Sequence, residues 1–201
     1  MLRQSYIADL PEAGCDEAGR GCLAGPVVAA AVILPAGYKN HMLNDSKKLS
    51  VIKRGLMRME IEKSAVAWGI GLADNNEIDN INILNASILA MHRALSKLTV
   101  RPEHILVDGN RFRNFDNIPH TCIVRGDSLF LNIAAASILA KTHRDAIMME
   151  LHKKIPIYGW DRNKGYPTAI HIAALHCHGS SSWHRKSFRL KPRQASIRFG
   201  D

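Results

Sequence analysis

The sequence lacks the features that define several large classes of protein. No apolar run approaches the ~20 residues of a membrane span, since even the run over residues 27–34 is only as long as a strand. The N-terminus has no basic stretch followed by an apolar segment of signal type. No C-x-x-C pair occurs among the four cysteines, Cys15, Cys22, Cys122 and Cys177. We therefore expect a cytoplasmic protein with reduced thiols and no membrane contact.

Standard zinc-binding patterns are also missing. One histidine-rich stretch lies near the C-terminus and contains His171, His176, Cys177, His178 and His184. Its spacing matches no standard zinc finger. We expect these side chains to be packing or surface groups.

What the sequence has in excess is positive charge. It contains 27 Lys and Arg against 18 Asp and Glu, a formal net charge of +9, and its pI is about 9.6. This balance is typical of proteins that bind a polyanion, so nucleic acid is the leading partner class. Many soluble proteins are basic without binding nucleic acid, so charge alone leaves both interpretations open.

Length and the order of the predicted elements favour one α/β domain over residues 1–201. Strands are predicted at 12–21, 27–34, 66–72, 105–109 and 121–125, and helices at 51–64, 82–98, 128–154 and about 168–179. Three early strands without long helices between them, followed by alternation, indicate a mixed sheet with helices on its faces. The first helix would begin at Ser50 and carry Ile52, Leu56 and Met59 on one face.

Carboxylates close two of the predicted strands. Asp16 and Glu17 end the first, and Asp108 ends the fourth. If these strands are neighbours, three carboxylates meet at one edge of the sheet, where open α/β folds build their sites. Hard oxygen ligands suit Mg²⁺ or Mn²⁺, and two such ions can assist an in-line phosphoryl displacement.

Local geometry leaves alternatives open for these carboxylates. Adjacent residues of a regular strand point to opposite faces, so a shared ion site at Asp16 and Glu17 predicts a bend or bulge. Asp127 follows Gly126 and precedes a helix, so it is either an N-cap or a further ligand. Taken singly, the Asp-Glu and Asp108-Gly109 pairs are also typical of solvated turns.

Ordered motifs resolve much of this ambiguity. The segment 15–31, CDEAGRGCLAGPVVAAA, resembles the opening signature of ribonuclease HII, the type 2 ribonuclease H family. Further similar blocks follow in the family's order at 45–49, 107–109, 126–127, 133–141, 159–168 and 184–188. Together they span nearly the whole chain.

The resemblance implies a ribonuclease H-like fold, with a five-stranded mixed sheet flanked by helices and a small helical C-terminal region from about residue 170. It implies catalytic and metal-binding roles for Asp16, Glu17, Asp108 and Asp127. The implied reaction cuts 5′ to a ribonucleotide, in RNA–DNA hybrids and in duplex DNA containing ribonucleotides. It leaves a 3′-hydroxyl and a 5′-phosphate, with Mn²⁺ or Mg²⁺, two ions during turnover, as cofactor.

The family match also implies substrate contacts. The 2′-hydroxyl distinguishes RNA from DNA, and the Gly19-Arg20-Gly21 loop resembles the family loop that approaches the sugar–phosphate backbone. Tyr166 resembles the family tyrosine that recognises the ribonucleotide–deoxynucleotide junction. Candidate phosphate contacts are Lys47, Lys48, Lys141, Arg144, Lys164, His184 and Arg185. Each basic residue taken alone is more typical of a solvated surface.

Two stretches depart from the family pattern. Leu129, Phe130 and Leu131 stand where small or basic residues are expected, which argues against substrate contact there. Gln194, Ile197 and Phe199 match a sliding-clamp peptide poorly, so no clamp contact is expected. We expect a monomer. Alternatives are a catalytically inactive duplex-binding protein of the same fold and a carboxylate-metal nuclease that acts on DNA.

Overall fold

A mixed sheet forms the centre of the computed structural model, which describes residues 2–8, 10–43 and 49–188. Within these ranges five strands pair in the order β3-β2-β1-β4-β5. They are β1 Glu12–Ala18, β2 Val27–Ile33, β3 Ala67–Ala73, β4 His104–Asp108 and β5 His120–Ile123. The first three are antiparallel neighbours, whereas β4 pairs in parallel with both β1 and β5. The mixed five-stranded sheet predicted from the sequence is confirmed.

Helices cover both faces of this sheet. They are α1 Val51–Ser64, α2 Asn75–Leu95, α3 Leu131–Lys154, α4 Trp160–Asn163 and α5 Ala169–His178. All seven residues of β2 are buried because α2 packs on one face and α3 on the other. Val27 and Ala29 lie in the core under α2, and Ala30 and Val32 in the core under α3. The continuous apolar run of β2 therefore marks a strand covered on both sides.

Helix α1 has the predicted bounds but buries a different face. Ser50 caps it by accepting a hydrogen bond from the Lys53 N–H. The predicted stripe was wrong, since Ile52 and Leu56 are 78% and 53% exposed. Met57 and Ile61 pack toward α3 instead. Apolar residues lie on both sides of this helix, so periodicity alone does not select the face that meets the core.

Helix α2 begins seven residues before the predicted start at residue 82. Asp74 and Glu77 form a capping box at its N-terminus, and the helix continues across a kink at Asn82. The D-x-x-E spacing was a usable signal that the apolar periodicity did not include. The predicted core stripe through Ile88 and Met91 is confirmed.

The C-terminal region packs as a small helical unit on the end of α3. Tyr158, Trp160 and Ala174 form a buried cluster with Met148. Thr168 caps α5, and Gly179 follows the last residue of this helix, which agrees with the predicted end near Gly179. Among the helices of the described ranges, none has the length and apolar character that a bilayer crossing demands.

Candidate active site

Three carboxylates meet at one edge of the sheet. The parallel register pairs Cys15 of β1 with Val107 of β4, so Asp16 and Asp108 follow on adjacent strands. The Gly126 N–H donates to Asp108 Oδ1 at 2.6 Å, which brings the segment that carries Asp127 to the same edge. The predicted convergence of Asp16, Glu17 and Asp108 is therefore present.

The strand that carries Asp16 and Glu17 is regular. Its antiparallel pairing with β2 runs without interruption from Ala13 opposite Ile33 to Ala18 opposite Val28, so the predicted bulge is wrong. Asp16 instead faces α3, where the Ser137 hydroxyl hydrogen-bonds to it. Glu17 faces α2. The two carboxylates flank the sheet edge from opposite sides, and Asp108 lies within electrostatic reach of both.

Burial and mutual repulsion dominate the electrostatics of these acids. Burial, followed by the charges of Glu17 and Asp108, raises the pKa of Asp16 well above its usual range. Burial also raises the pKa of Glu17, which Arg20 opposes through an ion pair of 3.0 Å with Glu17 Oε1. Negative charge at the edge exceeds the positive charge available to balance it. Cations would stabilise the site.

The donor set fits a hard divalent cation, although it does not form a finished coordination shell. No group of three or more His, Cys, Asp or Glu residues within the described ranges is already arranged around one point. Glu17 Oε2 is buried and has no hydrogen-bond partner among the described residues. Carboxylate oxygens with excess negative charge are the ligands that Mg²⁺ and Mn²⁺ prefer.

Asp127 lies in a short 3-10 turn, Gly126–Ser128. The N-cap interpretation of Asp127 was wrong, because α3 begins at Leu131 after Phe130. The Ser128 hydroxyl donates to Asp127 Oδ1 at 3.3 Å. Asp127 is buried near the Asp108 edge, which is compatible with a ligand role.

The departure at residues 129–131 has a structural explanation. Phe130 is buried against Leu106 and Ile133. Arg3 pairs with this segment through two backbone hydrogen bonds, Arg3 N–H to Leu129 O and Leu131 N–H to Arg3 O. These apolar residues anchor the N-terminal segment to the body of the protein.

The glycine loop after β1 has one glycine that the protein itself requires. Gly19 has a φ of +95°, and a Cβ there would lie 2.0 Å from Arg144 Nε. A Cβ at Gly21 would meet nothing within 4 Å, so the space beside it is open. The N–H groups of Arg20 and Gly21 donate to none of the described residues. Close approach by a ligand is possible on this side.

Arg144 and Arg185, two of the predicted phosphate contacts, pack against this loop from the protein interior. Both are buried, at 1% and 3% exposure. Arg185 donates to the carbonyls of Gly19, Arg20 and Gly25. Arg144 donates to those of Ala24, Pro26 and Lys164. The prediction of phosphate contact was wrong for both, since their donors are committed to backbone oxygens.

His184 was also predicted wrongly as a phosphate contact. It is buried, and its Nε2 lies 3.1 Å from His171 Nε2, while its Nδ1 accepts from the Ser181 N–H. Burial and the neighbouring His171 lower the pKa of His184 to about 4. A buried, neutral imidazole supplies no charge for a phosphate.

Tyr166 lies beside the glycine loop, 41% exposed. The Leu23 N–H donates to Gly165 O at 2.8 Å and joins the two segments. The Tyr166 side chain hydrogen-bonds with the Cys22 thiol, and the Arg144 guanidinium lies 5.9 Å from its ring centre. The structure thus brings the predicted junction residue to the predicted loop.

The remaining lysines differ in their surroundings. Lys164 is partly buried, and its Nζ donates to the Asp161 carbonyl. Lys141 is partly exposed on α3 and lies within electrostatic reach of Cys22. Lys47 and Lys48 lie outside the described residues, as do Gln194, Ile197 and Phe199.

Sequence reasoning missed two serines near the carboxylates. Ser137 lies on the alanine-rich buried side of α3, and Ser87 on the buried side of α2. Nothing in the local sequence separates such a hydroxyl from an ordinary small core residue. Only the packing of each helix on the sheet brings it to an acid.

Solved structures share this architecture. A ribonuclease H2 from Pyrococcus horikoshii OT3 superposes with a TM-score of 0.72 at 23% identity, over 88% of this chain and 93% of that one. An RNase HII from Archaeoglobus fulgidus, in a complex with PCNA, gives 0.74 at 24% identity over 94% and 98%. Bst-RNase HIII in complex with Mn²⁺ gives 0.69 at 21% identity over 87% and 64%. These likenesses show the ribonuclease H-like fold.

Other proteins share much more of their sequence with this chain than these solved structures do. The sequence model described as Ribonuclease HII matches residues 13–191. A Ribonuclease HII from Phocaeicola vulgatus is 59% identical over 190 residues, 94% of each chain. One from Bacteroides thetaiotaomicron is also 59% identical over 190 residues, 94% of this chain and 95% of that one. With identity sustained along almost the full length and the expected fold beneath it, the chain belongs to the ribonuclease HII family.

Proposed function

We propose that this protein hydrolyses the RNA strand of RNA–DNA hybrids and cuts 5′ to ribonucleotides embedded in duplex DNA, leaving a 3′-hydroxyl and a 5′-phosphate. The observation that carries the proposal is the placement of three carboxylates, one of them buried and two partly buried, at one sheet edge beside an open glycine loop. Family membership supports the same reaction. The charge of +9 suits a nucleic-acid substrate.

Asp16, Glu17, Asp108 and Asp127 are the residues that would hold Mg²⁺ or Mn²⁺. A divalent cation bound there would make a water more acidic and would offset negative charge on the phosphate and the leaving oxygen. The protein's own contribution is to supply oxygen donors and to position them. Ser137 orients Asp16 and Arg20 orients Glu17. The structure of Bst-RNase HIII in complex with Mn²⁺ supports this choice of cation.

Substrate selection falls to the loop and Tyr166. Arg144 and Arg185 hold the loop carbonyls inward, which leaves the N–H groups of Arg20 and Gly21 available to the ribose and phosphate. A 2′-hydroxyl both donates and accepts, so a site built to bond it rejects deoxyribose. We propose that Tyr166, partly exposed beside this loop, contacts the same sugar or its neighbour. Among the described residues, Lys141 and Lys164 are the candidates for phosphate contact.

The proposal is tested with Asp16→Asn and Asp108→Asn. Both variants should bind a hybrid with near wild-type affinity, because the loop and the basic surface are unchanged. Cleavage should fall by about 100-fold or more, on the order of 3 kcal/mol of transition-state stabilisation. The measurements are gel cleavage and fluorescence anisotropy of labelled duplexes. Asp116→Asn is a matched control, since Asp116 is an exposed acid paired with Arg101.

Duplexes with zero, one and four embedded ribonucleotides complete the test. Wild type should cut the second and third and leave the first intact. Cutting of the all-DNA duplex would assign the site to a DNA-directed nuclease. Equal cleavage by wild type and both Asn variants would remove the carboxylates from the reaction.

A further inference from the structure

A cleft of about 20 Å³ lies between the edge of β1 and helix α2, beside the proposed ligands. Glu17 and Asp108 line it from the sheet, and Ser87 lines it from α2. Its polar wall also includes Arg20, Asn110 and Arg111. It is continuous with the candidate active site but belongs to the helix side of the sheet.

Two buried polar atoms in this cleft have no hydrogen-bond partner among the described residues. They are Ser87 Oγ and Glu17 Oε2. Ser87 is only 2% exposed, and the Glu17 side chain is 8% exposed. Buried hydroxyl and carboxylate oxygens are unfavourable without a partner. Both atoms belong to residues that line the same small space, which points to a shared ligand.

The size and chemistry of the cleft select a water molecule. A cavity must offer about 10–15 Å³ of such volume to hold one water, and this cleft offers about 20 Å³. A water can donate to Glu17 Oε2, which only accepts, and exchange a hydrogen bond with the Ser87 hydroxyl, which does both. A hydrated Mg²⁺ demands octahedral oxygen coordination and more room.

We propose that Ser87 is a positioning residue for Glu17, acting through one ordered water held between Ser87 Oγ and Glu17 Oε2. Arg20 holds Oε1, so the water completes the restraint on the carboxylate's rotation. Each carboxylate oxygen has two lone-pair sites, and Oε2 therefore accepts from the water while still facing a cation. This inference rests on the proposed function, because it assigns Ser87 a purpose in metal binding.

Substitutions at Ser87 distinguish the effect of losing the hydroxyl group from the effect of changing the size of the side chain. Ser87→Thr keeps a hydroxyl, and Ser87→Val has nearly the shape of threonine without one. Mn²⁺ binding to the full chain is measured by isothermal titration calorimetry. Ser87→Ala and Ser87→Val should raise the Mn²⁺ Kd by about 10-fold, the usual effect of losing a partner of a metal ligand. Ser87→Thr should stay within about 2-fold of wild type.

Cleavage provides a second readout. The loss in Ser87→Ala should be greatest at limiting Mn²⁺ and smaller at saturating Mn²⁺, since the defect lies in holding the ligand. Ser96→Ala is the control at the C-terminal end of the same helix, because Ser96 caps α2 and its Oγ donates to the His92 carbonyl away from the site. It should keep the wild-type Kd.

The outcomes distinguish this inference from the proposed function. If wild type binds Mn²⁺ and cuts, but Ser87→Ala and Ser87→Val bind as tightly, the water-mediated role is overturned and the nuclease remains. The same holds if Thr and Val variants weaken binding equally. A wild type that neither binds Mn²⁺ nor cuts overturns both. A crystal structure with a water bonded to both atoms would support the inference directly.

Discussion

At the scale of single residues, the role of an arginine beside the glycine loop depends on whether it faces solvent or the loop carbonyls. Arg185 contributes two guanidinium nitrogens within 3.0 Å of the Gly25 carbonyl, and further bonds to Gly19 and Arg20. Hydrogen bonds from charged donors are the stronger ones. Arg185 therefore stabilises the conformation of the loop, with its charge turned away from solvent.

Arg185→Gln should lower the free energy of unfolding by at least about 2 kcal/mol, because buried loop carbonyls lose their donors. Urea unfolding followed by circular dichroism measures this. Arg185→Lys should lose less stability, since it retains the charge and one donor group. Arg101→Gln, on the exposed surface, should stay within about 0.5 kcal/mol of wild type. An unchanged midpoint for Arg185→Gln would contradict the loop-supporting role.

At the scale of elements, a histidine pair joins α5 to the segment that follows it. His171 Nδ1 bonds to the Tyr166 carbonyl at 2.9 Å, so its Nε2 is left to accept from the Trp160 Nε1–H. His184 Nε2–H lies 3.1 Å from the same nitrogen and shares its one lone pair with Trp160. This chain of bonds requires both rings to be neutral, and acid should break it.

The histidine pair predicts a pH dependence of stability. His184 has a folded pKa of about 4 against about 6.5 in an unfolded chain. The unfolded state therefore binds more protons, so stability is present above pH 6.5 and is lost as pH falls toward 4. The loss attributable to His184 is about 3 kcal/mol at most.

Urea unfolding at several pH values compares wild type with His184→Gln. The variant should be less stable at pH 7 and show a shallower decline between about pH 6.5 and 4. Groups common to both proteins, including the site carboxylates, cancel in the difference. Parallel stability curves would show that His184 does not titrate as proposed.

Local sequence patterns predicted some of the helices and strands better than others. β2 and α5 were predicted almost to the residue, because an uninterrupted apolar run, and a proline before and a glycine after a helix, are local signals. The buried face of α1 was not, since Met57 and Ile61 are selected by contact with α3. The regular pairing of β1 was also missed, because the bulge was inferred from an ion site rather than from the strand.

At the scale of the whole molecule, the net charge of +9 governs association. Cations near phosphates release counterions, so binding weakens as salt rises. The Kd of Asp16→Asn for a hybrid should rise by at least about 10-fold between 50 and 200 mM NaCl. Fluorescence anisotropy measures this. An all-DNA duplex of equal length should show a similar slope, because phosphate contacts do not read sequence. A salt-independent Kd would contradict electrostatic binding.

The sequence by itself located the five strands, most of the helix bounds and the carboxylates that end two of the strands, because strand patterns and the residues that end strands are local properties. Tertiary structure alone decided that β1 and β4 are neighbours, which brings Asp16, Glu17 and Asp108 together. It also decided that Arg144, Arg185 and His184 face inward and that Ser87 and Glu17 line the same cleft. Burial depends on what distant segments pack against each side chain. From sequence alone, a basic residue is predicted to be exposed to solvent. The folded chain can bury it when carbonyls from another segment accept its hydrogen bonds.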